Sequence, residues 1–276
     1  MGEVIACANQ KGGVGKTTTV VSLAAYLALD GRRVLLVDMD PQGHATSGLG
    51  IDKDSLQTSV YDLLLNDAAI DDILAPTSID NLSVLPSDRS LAGAEVELVP
   101  NAGRERRLAR VLDGAGDRYD FVVLDCPPSL GLLTVNALTA SDSVLIPLQC
   151  EYYALEGLSQ LMATIDLIRD HLNPKLSLKG VLLTMHDGRT SLSADVTTEV
   201  RRHLGDQVFE AVIPRSVRLA EAPSYGQPIA QYSPSSRGAL AYQAITAELL
   251  ERSQFTPGPR LAEARATYCL LYTSDA

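Results

Sequence analysis

Asn9-Gln-Lys-Gly-Gly-Val-Gly-Lys-Thr-Thr18 lies between an apolar, strand-like run, Val4–Ala8, and a helical stretch, Lys16–Asp30. Glycines at such a junction let backbone N–H groups turn inward around phosphate oxygens, and the helix N-terminus adds its dipole. Lys16 is placed to reach the β- and γ-phosphates of a nucleotide, and the Thr17 hydroxyl is placed to ligate Mg²⁺. The usual pattern has glycine six residues before that lysine. Here Gln10 stands there, and an extra lysine follows at position 11.

Outward from this loop, short β-branched runs alternate with helical stretches. Strands are expected at Arg33–Val37, Leu82–Leu85, Phe121–Leu124, Ser143–Pro147, Leu178–Thr184 and Val208–Ile213. Helices are expected at Arg104–Gly114, Ala154–His171, Ser193–Leu204 and Ser236–Arg252. The strands read as continuous apolar runs, the mark of a parallel sheet covered on both faces. Regular strand–helix alternation, with no repeat and no Ser/Gly linker, gives one doubly wound α/β domain over residues 1–252. Residues 253–276 carry Pro257-Gly258-Pro259 and an apolar ending with weak periodicity. They read as a disordered or foreign tail, or as a short membrane-seeking helix.

Composition excludes several classes. The 276 residues carry 23 basic and 34 acidic side chains, a net charge of −11, so coating nucleic acid by bulk charge is out while a local basic patch is not. Trp is absent and aromatics make up 5%, which argues against base-stacking grooves as the main device. No apolar run approaches the roughly 20 residues of a membrane span. Met1-Gly2-Glu3-Val4-Ile5-Ala6 lacks a basic leader and the hydroxyl residue that myristoylation requires. The four cysteines (7, 126, 150, 269) show no CxxC pairing and read as buried thiols in a reducing cytoplasm.

Acidic residues end two of the apolar strands. Asp38 and Asp40 follow the second, and Asp125 follows Phe121-Val-Val-Leu124. Carboxylates at this edge of an open sheet hold Mg²⁺ through water, orient an attacking water, or cap a turn, as before Pro41. Pro127-Pro128 then ends any further ladder bonding.

Lys11-Gly-Gly-Val-Gly-Lys-Thr-Thr18 resembles the deviant Walker A box of the ParA/MinD ATPases, and most closely the Soj/ParA chromosome-partitioning branch. Val37-Asp-Met-Asp-Pro-Gln-Gly-His-Ala-Thr-Ser-Gly-Leu-Gly50 is similar to that branch's second box, with His44 where Asn is commoner. Asp125-Cys-Pro-Pro-Ser-Leu-Gly-Leu-Leu-Thr134 resembles its Walker B segment. Gln149-Cys-Glu-Tyr-Tyr-Ala-Leu-Glu-Gly-Leu158 and Ile213-Pro-Arg-Ser-Val-Arg-Leu-Ala-Glu-Ala-Pro-Ser224 match it as well. The resemblance covers about residues 2–250.

It implies an ATPase that uses ATP and Mg²⁺, slow and stimulated by a ParB-like centromere-binding partner. It also implies an ATP-dependent homodimer in the cytoplasm, associated with the nucleoid through non-specific double-stranded DNA and not with a membrane. Lys11, Gly12, Gly13, Val14, Gly15, Lys16, Thr17 and Thr18 would hold the nucleotide. Lys11 would reach the partner protomer's ATP and neutralise charge developing in the transition state, as an arginine finger does. Gly12 would have to stay small where two backbones meet. Asp40 would position the water; Thr17, Asp40 and Asp125 would serve the metal. Asp38 would organise the loop. Pro214 and Ser216 lie in the family's base-edge segment, which also reads as an ordinary strand–helix turn.

For DNA, Lys175–Arg218 holds seven basic and five acidic side chains, a balance of +2 against the acidic background. A solvated charged face is the plain reading. The resemblance points to Arg189 and Arg218, with Lys179 and Arg215 beside them. A MinD-like membrane ATPase would need a basic amphipathic C-terminal helix, and Tyr242–Arg252 contains Glu248 and Glu251. A cluster-bearing iron protein would need a second thiol placed with Cys126. A small-molecule kinase on this fold would need an acceptor pocket with its own base.

Overall fold

The computed structural model describes residues 2–151 and 154–273. Seven strands form one sheet: β1 (Glu3–Cys7), β2 (Val34–Asp38), β3 (Ala75–Pro76), β4 (Leu82–Leu85), β5 (Phe121–Asp125), β6 (Ser143–Gln149) and β7 (Ser177–Thr184). Their order is β3-β4-β2-β5-β1-β6-β7. Every pairing is parallel except β3 with β4, where two residues, one of them Pro76, form a short edge.

Strand alternation feeds two cores. Ile5, Cys7, Val34, Leu36, Phe121 and Val123 point to one face, against the helices Lys16–Leu29 and Arg237–Arg252. Ala6, Ala8, Leu35, Val37, Val122 and Leu124 point to the other, against Val60–Leu65, Leu91–Glu97, Leu132–Ala140 and Ala154–His171. Burial on both faces is why these runs lack a polar alternation. The chain winds from β1 toward β2 on one side and from β5 through β6 to β7 on the other. The carboxyl ends of β1 and β5 therefore flank the point where strand order reverses, the place where open α/β sheets bind ligands.

Three expectations are corrected. Val208–Ile213 is not a strand: one isolated bridge, Val181–Val208, joins it to β7, and a second, His186–Pro214, lies just beyond both segments. Phe209 N donates to Val181 O and Ile213 N to Leu183 O, so four residues span the space of two and the ladder bulges. Glu210 N is taken instead by the Glu248 carboxylate. Arg104–Gly114 is not one helix but a 3₁₀ turn and a short helix Arg107–Val111 that ends at Leu112, with a left-handed Gly114 starting the next turn, Ala115–Arg118. The segment expected to be disordered holds a helix, Pro259–Thr273, with Leu261, Ala264 and Tyr268 buried. Helical apolar spacing at these three positions packs it on Arg237–Arg252, and Pro259 suits its first turn. Residues 274–276 lie outside the described residues.

Candidate functional site: a phosphate loop and its carboxylates

The loop after β1 owes its shape to two glycines. Gly13 (φ 74°) and Gly15 (φ 91°) are left-handed, a conformation that costs a side-chain-bearing residue energy. Gly15 caps Lys16–Leu29, a helix with no acidic side chain in its first turn, so its free N–H groups and dipole favour an anion. The curl is tied down on three sides. Asn9 Nδ2 donates to Pro147 O at 2.7 Å, Lys11 N donates to Asn9 Oδ1 at 3.0 Å, and Thr184 Oγ1 at the end of β7 donates to Val14 O at 2.8 Å. Lys16 is buried, and its Nζ donates to the Lys11 carbonyl at 3.3 Å, which sets the ammonium inside the curl.

Strand register supplies the acids. Cys7, Asp125 and Asp38 lie side by side across β1, β5 and β2. Asp38 is fully buried, and its Oδ2 accepts from Thr46 N (2.8 Å) and Thr46 Oγ1 (2.7 Å) while Oδ1 accepts from Asp40 N (3.2 Å). Burial raises its carboxyl to about 6, against the pull of those bonds. The effect is to hang residues 40–46 from the end of β2. Asp40 is nearly buried, with Oδ1 bonded to Gln42 N at 2.9 Å and its carbonyl bonded to Ser87 Oγ at 2.9 Å.

Asp125 differs in kind: both carboxylate oxygens are buried and neither makes a well-formed hydrogen bond, the Thr17 hydroxyl acting on them only loosely. Burial first, and then the Asp38 charge, drive its carboxyl well above the ordinary range; the Thr17 hydroxyl and Lys16 pull it back. A buried acid with two unmatched acceptors is costly unless a ligand answers them. Thr17, Asp40 and Asp125 form an all-oxygen set that fits Mg²⁺, which keeps much of its water shell and takes few protein ligands. Among the described residues no group of three or more His, Cys, Asp or Glu side chains is placed to hold a metal ion. Cys7 and Cys126 flank this acid on opposite faces, and burial pushes both thiols up, so neither is a ready thiolate.

Lys11 turns away from the curl: its Nζ meets Glu151 Oε2 at 2.5 Å, and Gln149 Nε2 meets Glu151 Oε1 at 2.5 Å. Tyr152 and Tyr153, in the segment quoted from Gln149, lie outside the described residues. A Cβ on Gly12 would meet nothing within 4 Å.

Beside the first turn of Lys16–Leu29 opens a cavity of about 460 Å³, walled by Thr17, Thr18, His44, Ser47, Leu219 and Gln227 among others. Pro214 and Ser216 do not line it. Pro214 bridges to His186, and Ser216 precedes the short helix Val217–Glu221. Sequence reasoning missed Ser87 and Glu151. Ser87 carries no local signal; Glu151 lies within a segment quoted for its resemblance.

The four basic residues expected on a DNA face separate. Arg189 and Arg215 both act on Asp187 beyond the carboxyl end of β7, where Arg215 N donates to His186 O at 3.0 Å, and Arg218 follows in the first turn of Val217–Glu221. Lys179 does not join them. It sits near the start of β7, its side chain 9% exposed, paired with Glu3 Oε1 at 2.5 Å and bonded to Ser253 Oγ at 3.2 Å. Register explains this: Lys179 precedes Gly180, which faces Leu145, while the phosphate loop lies at the opposite end of the strands.

Sheet order, glycine-built loop and flanking acids define a doubly wound P-loop nucleotide-binding protein. The family described as "AAA domain" matches residues 2–178. The sporulation initiation inhibitor protein Soj of Bacillus subtilis is 59% identical over 249 residues, 90% of this chain and 98% of that protein. The chromosome partitioning protein ParA of Myxococcus xanthus is 55% identical over 91% of this chain and 89% of its own length. Among solved structures, a cobyrinic acid a,c-diamide synthase of Mycobacterium smegmatis with bound ADP and magnesium is 42% identical, with a TM-score of 0.81 over 94% of this chain and 99% of that one. The septum site-determining protein MinD of Pyrococcus horikoshii, complexed with Mg-ADP, is 26% identical, with a TM-score of 0.73 over 90% and 96%. The chain belongs to the Soj/ParA family of chromosome-partitioning ATPases.

Proposed function

We propose that this chain is a Mg²⁺-ATP-dependent dimerising switch that binds DNA without sequence preference and partitions a chromosome or plasmid with a ParB-like partner. The observation that carries the reading is the meeting of three elements at one sheet edge: the phosphate loop with Thr17, Asp40, and a buried Asp125 whose two oxygens make no well-formed hydrogen bond. ATP phosphates would lie against the loop amides and Lys16. Thr17, Asp40 and Asp125 would hold the hydrated Mg²⁺, which supplies charge neutralisation when bound. Asp40 would orient the attacking water. Lys11, released from Glu151, would enter the partner protomer's site; Gly12, open on all sides, would leave room for that approach. Slow, partner-stimulated turnover would then convert a DNA-bound dimer into released monomers, in the cytoplasm and on the nucleoid.

Dimerisation matters to DNA binding because two copies of a weak patch double the phosphate contacts and steepen the salt dependence. Pro214 and Ser216 would contact the base from the turn beyond β7. The membrane alternative needs a basic amphipathic helix at the C-terminus, whereas Pro259–Thr273 turns Leu261, Ala264 and Tyr268 inward onto Arg237–Arg252. The test is size-exclusion light scattering with ATP, with ADP and with DNA. A dimer formed only with ATP, and retained on duplexes of unrelated sequence, is expected. A molecule that stays monomeric with ATP and ignores DNA overturns the reading.

A further inference from the structure

The DNA face carries its own counter-ions. Met185, left-handed at φ 52°, turns the chain at the end of β7. His186 is then clamped to the 213–215 segment through both its N–H and its carbonyl. This brings Asp187 between two arginines. Its carboxylate receives Arg189 Nε at 2.8 Å and Arg189 Nη2 at 2.7 Å, a bidentate fork, and the Arg189 backbone N–H at 3.1 Å. Arg189 and, more weakly, Arg215 hold that carboxyl far below the ordinary range. Arg218 is paired through a single contact: its Nη1 meets Glu221 Oε2 at 3.0 Å, and the Tyr232 hydroxyl donates to the same oxygen at 3.0 Å. Arg215 is exposed and acts on Asp187 by charge alone, without a close ion pair or side-chain hydrogen bond among the described residues.

Asp187 docks two oxygens on the Arg189 guanidinium and Glu221 one on that of Arg218, the contacts a phosphate diester would make there. We propose that Asp187 and Glu221 are built-in competitors for the DNA phosphates, so that Arg215 binds first and Arg189 and Arg218 join only by leaving their carboxylates. The inference rests on the DNA reading above and says what sets its strength. Exposed pairs hold by a factor of about 1.5 to 5 each. Over two protomers, removing one competitor should raise DNA affinity by roughly 2- to 25-fold. Each additional phosphate neutralised should also steepen the salt slope by about 0.9.

The experiment is fluorescence anisotropy of the full chain on two unrelated DNA duplexes, at several salt concentrations, with a slowly hydrolysed ATP analogue. Asp187→Asn and Glu221→Gln should each tighten binding to both duplexes equally and steepen the slope. In an Arg189→Ala background, Asp187→Asn should lose most of its effect, because only its weaker hold on Arg215 remains. Tightening of undiminished size in that background is a bulk-charge effect and overturns the proposal. So does unchanged or weaker binding by both variants, which would make the carboxylates bystanders or supports. Loss of nucleotide binding in Asp187→Asn would assign that acid to the nucleotide and also overturn it. If the wild type binds neither duplex, the DNA face itself fails. If it binds, and only Asp187→Asn and Glu221→Gln are silent, the competition alone fails.

Discussion

Lys11 Nζ and Glu151 Oε2 stand 2.5 Å apart, joining the phosphate loop to the loop after β6 across 140 residues of sequence. Both side chains are about half exposed, so water weakens the pair and leaves it exchangeable. Lys16, in contrast, is buried and turned into the curl. The two lysines of one loop thus face different ways. Lys11→Ala should keep ATP affinity within about threefold, an effect near 0.6 kcal/mol. It should lose most turnover, because the lost charge acts only in the transition state. Equilibrium binding beside single-turnover hydrolysis checks this; equal losses in both would place Lys11 in its own nucleotide site.

Lys16→Ala and Asp40→Ala should fail differently. The first removes a buried ammonium from the curl and should abolish nucleotide binding. The second leaves the loop amides and Lys16 intact, so ATP should still bind and still drive dimerisation. Turnover should fall by about 10²-fold or more, the usual scale for a lost proton-handling or water-positioning group. Titration calorimetry with the ATP analogue, paired with phosphate release, separates them. Wild-type turnover in Asp40→Ala would remove Asp40 from the chemistry.

Gly12 and Gly13 make a matched pair of tests. Gly13 is left-handed, so Gly13→Ala strains the loop by about 1 kcal/mol and should weaken nucleotide binding in the monomer. Gly12 has no such φ and open space around its Cβ position. Gly12→Val should therefore leave the melting temperature and monomer nucleotide binding unchanged while blocking the ATP-dependent dimer. A dimer of wild-type stability in Gly12→Val would show that the loop tip is not an interface.

Burial of Asp38 and Asp125 gives a pH signature. Both carboxyls are raised in the folded protein, Asp38 to about 6 from an unfolded value near 3.8. Between those pH values the folded chain binds more protons than the unfolded one, so stability falls as pH rises through the window. The nucleotide-free protein should melt higher near pH 5 than near pH 7.5 from this cause. Asp125→Asn should flatten the difference and reduce the stabilisation given by Mg-nucleotide. Melting curves across pH, with and without Mg-ATP, measure it; a wild-type pH profile in Asp125→Asn would detach the profile from that acid.

Much of this was legible because the strands are short apolar runs buried on both faces. The runs found β1, β2, β4, β5, β6 and β7, and the glycine loop located the site. What failed had non-local causes. Val208–Ile213 has strand composition, but its N–H groups are shared with Glu248, and with a helix beyond residue 258. β3 is two residues long and includes proline, below any pattern. The alignment of Asp38 with Asp125 needs the strand order, which no local window contains. The Lys11–Glu151 and Lys179–Glu3 pairs join residues more than a hundred positions apart.

Lys179 makes the last prediction, because its placement reverses what its charge suggested. The basic segment Lys175–Arg218 and the family resemblance set it beside Arg189, Arg215 and Arg218. Packing puts it at the other end of the sheet, where its ammonium bridges Glu3 on β1 and Ser253 after the helix Arg237–Arg252. Glu3 also accepts from Ser143 Oγ at 2.8 Å, so this pair links β1, β6 and β7 at their starts. With its side chain 9% exposed and Glu3 at 18%, it is screened less than a surface pair. Lys179→Ala would leave a half-buried carboxylate without its cation, at a cost of about 2–3 kcal/mol. DNA affinity and its salt slope, measured at a temperature where the variant stays folded, should match wild type. Lys179→Met, which keeps the stem but not the charge, should recover part of the stability only when Glu3→Gln accompanies it. A shallower salt slope in Lys179→Met, with stability unchanged, would return Lys179 to the DNA face and break its assignment as a strut of the sheet.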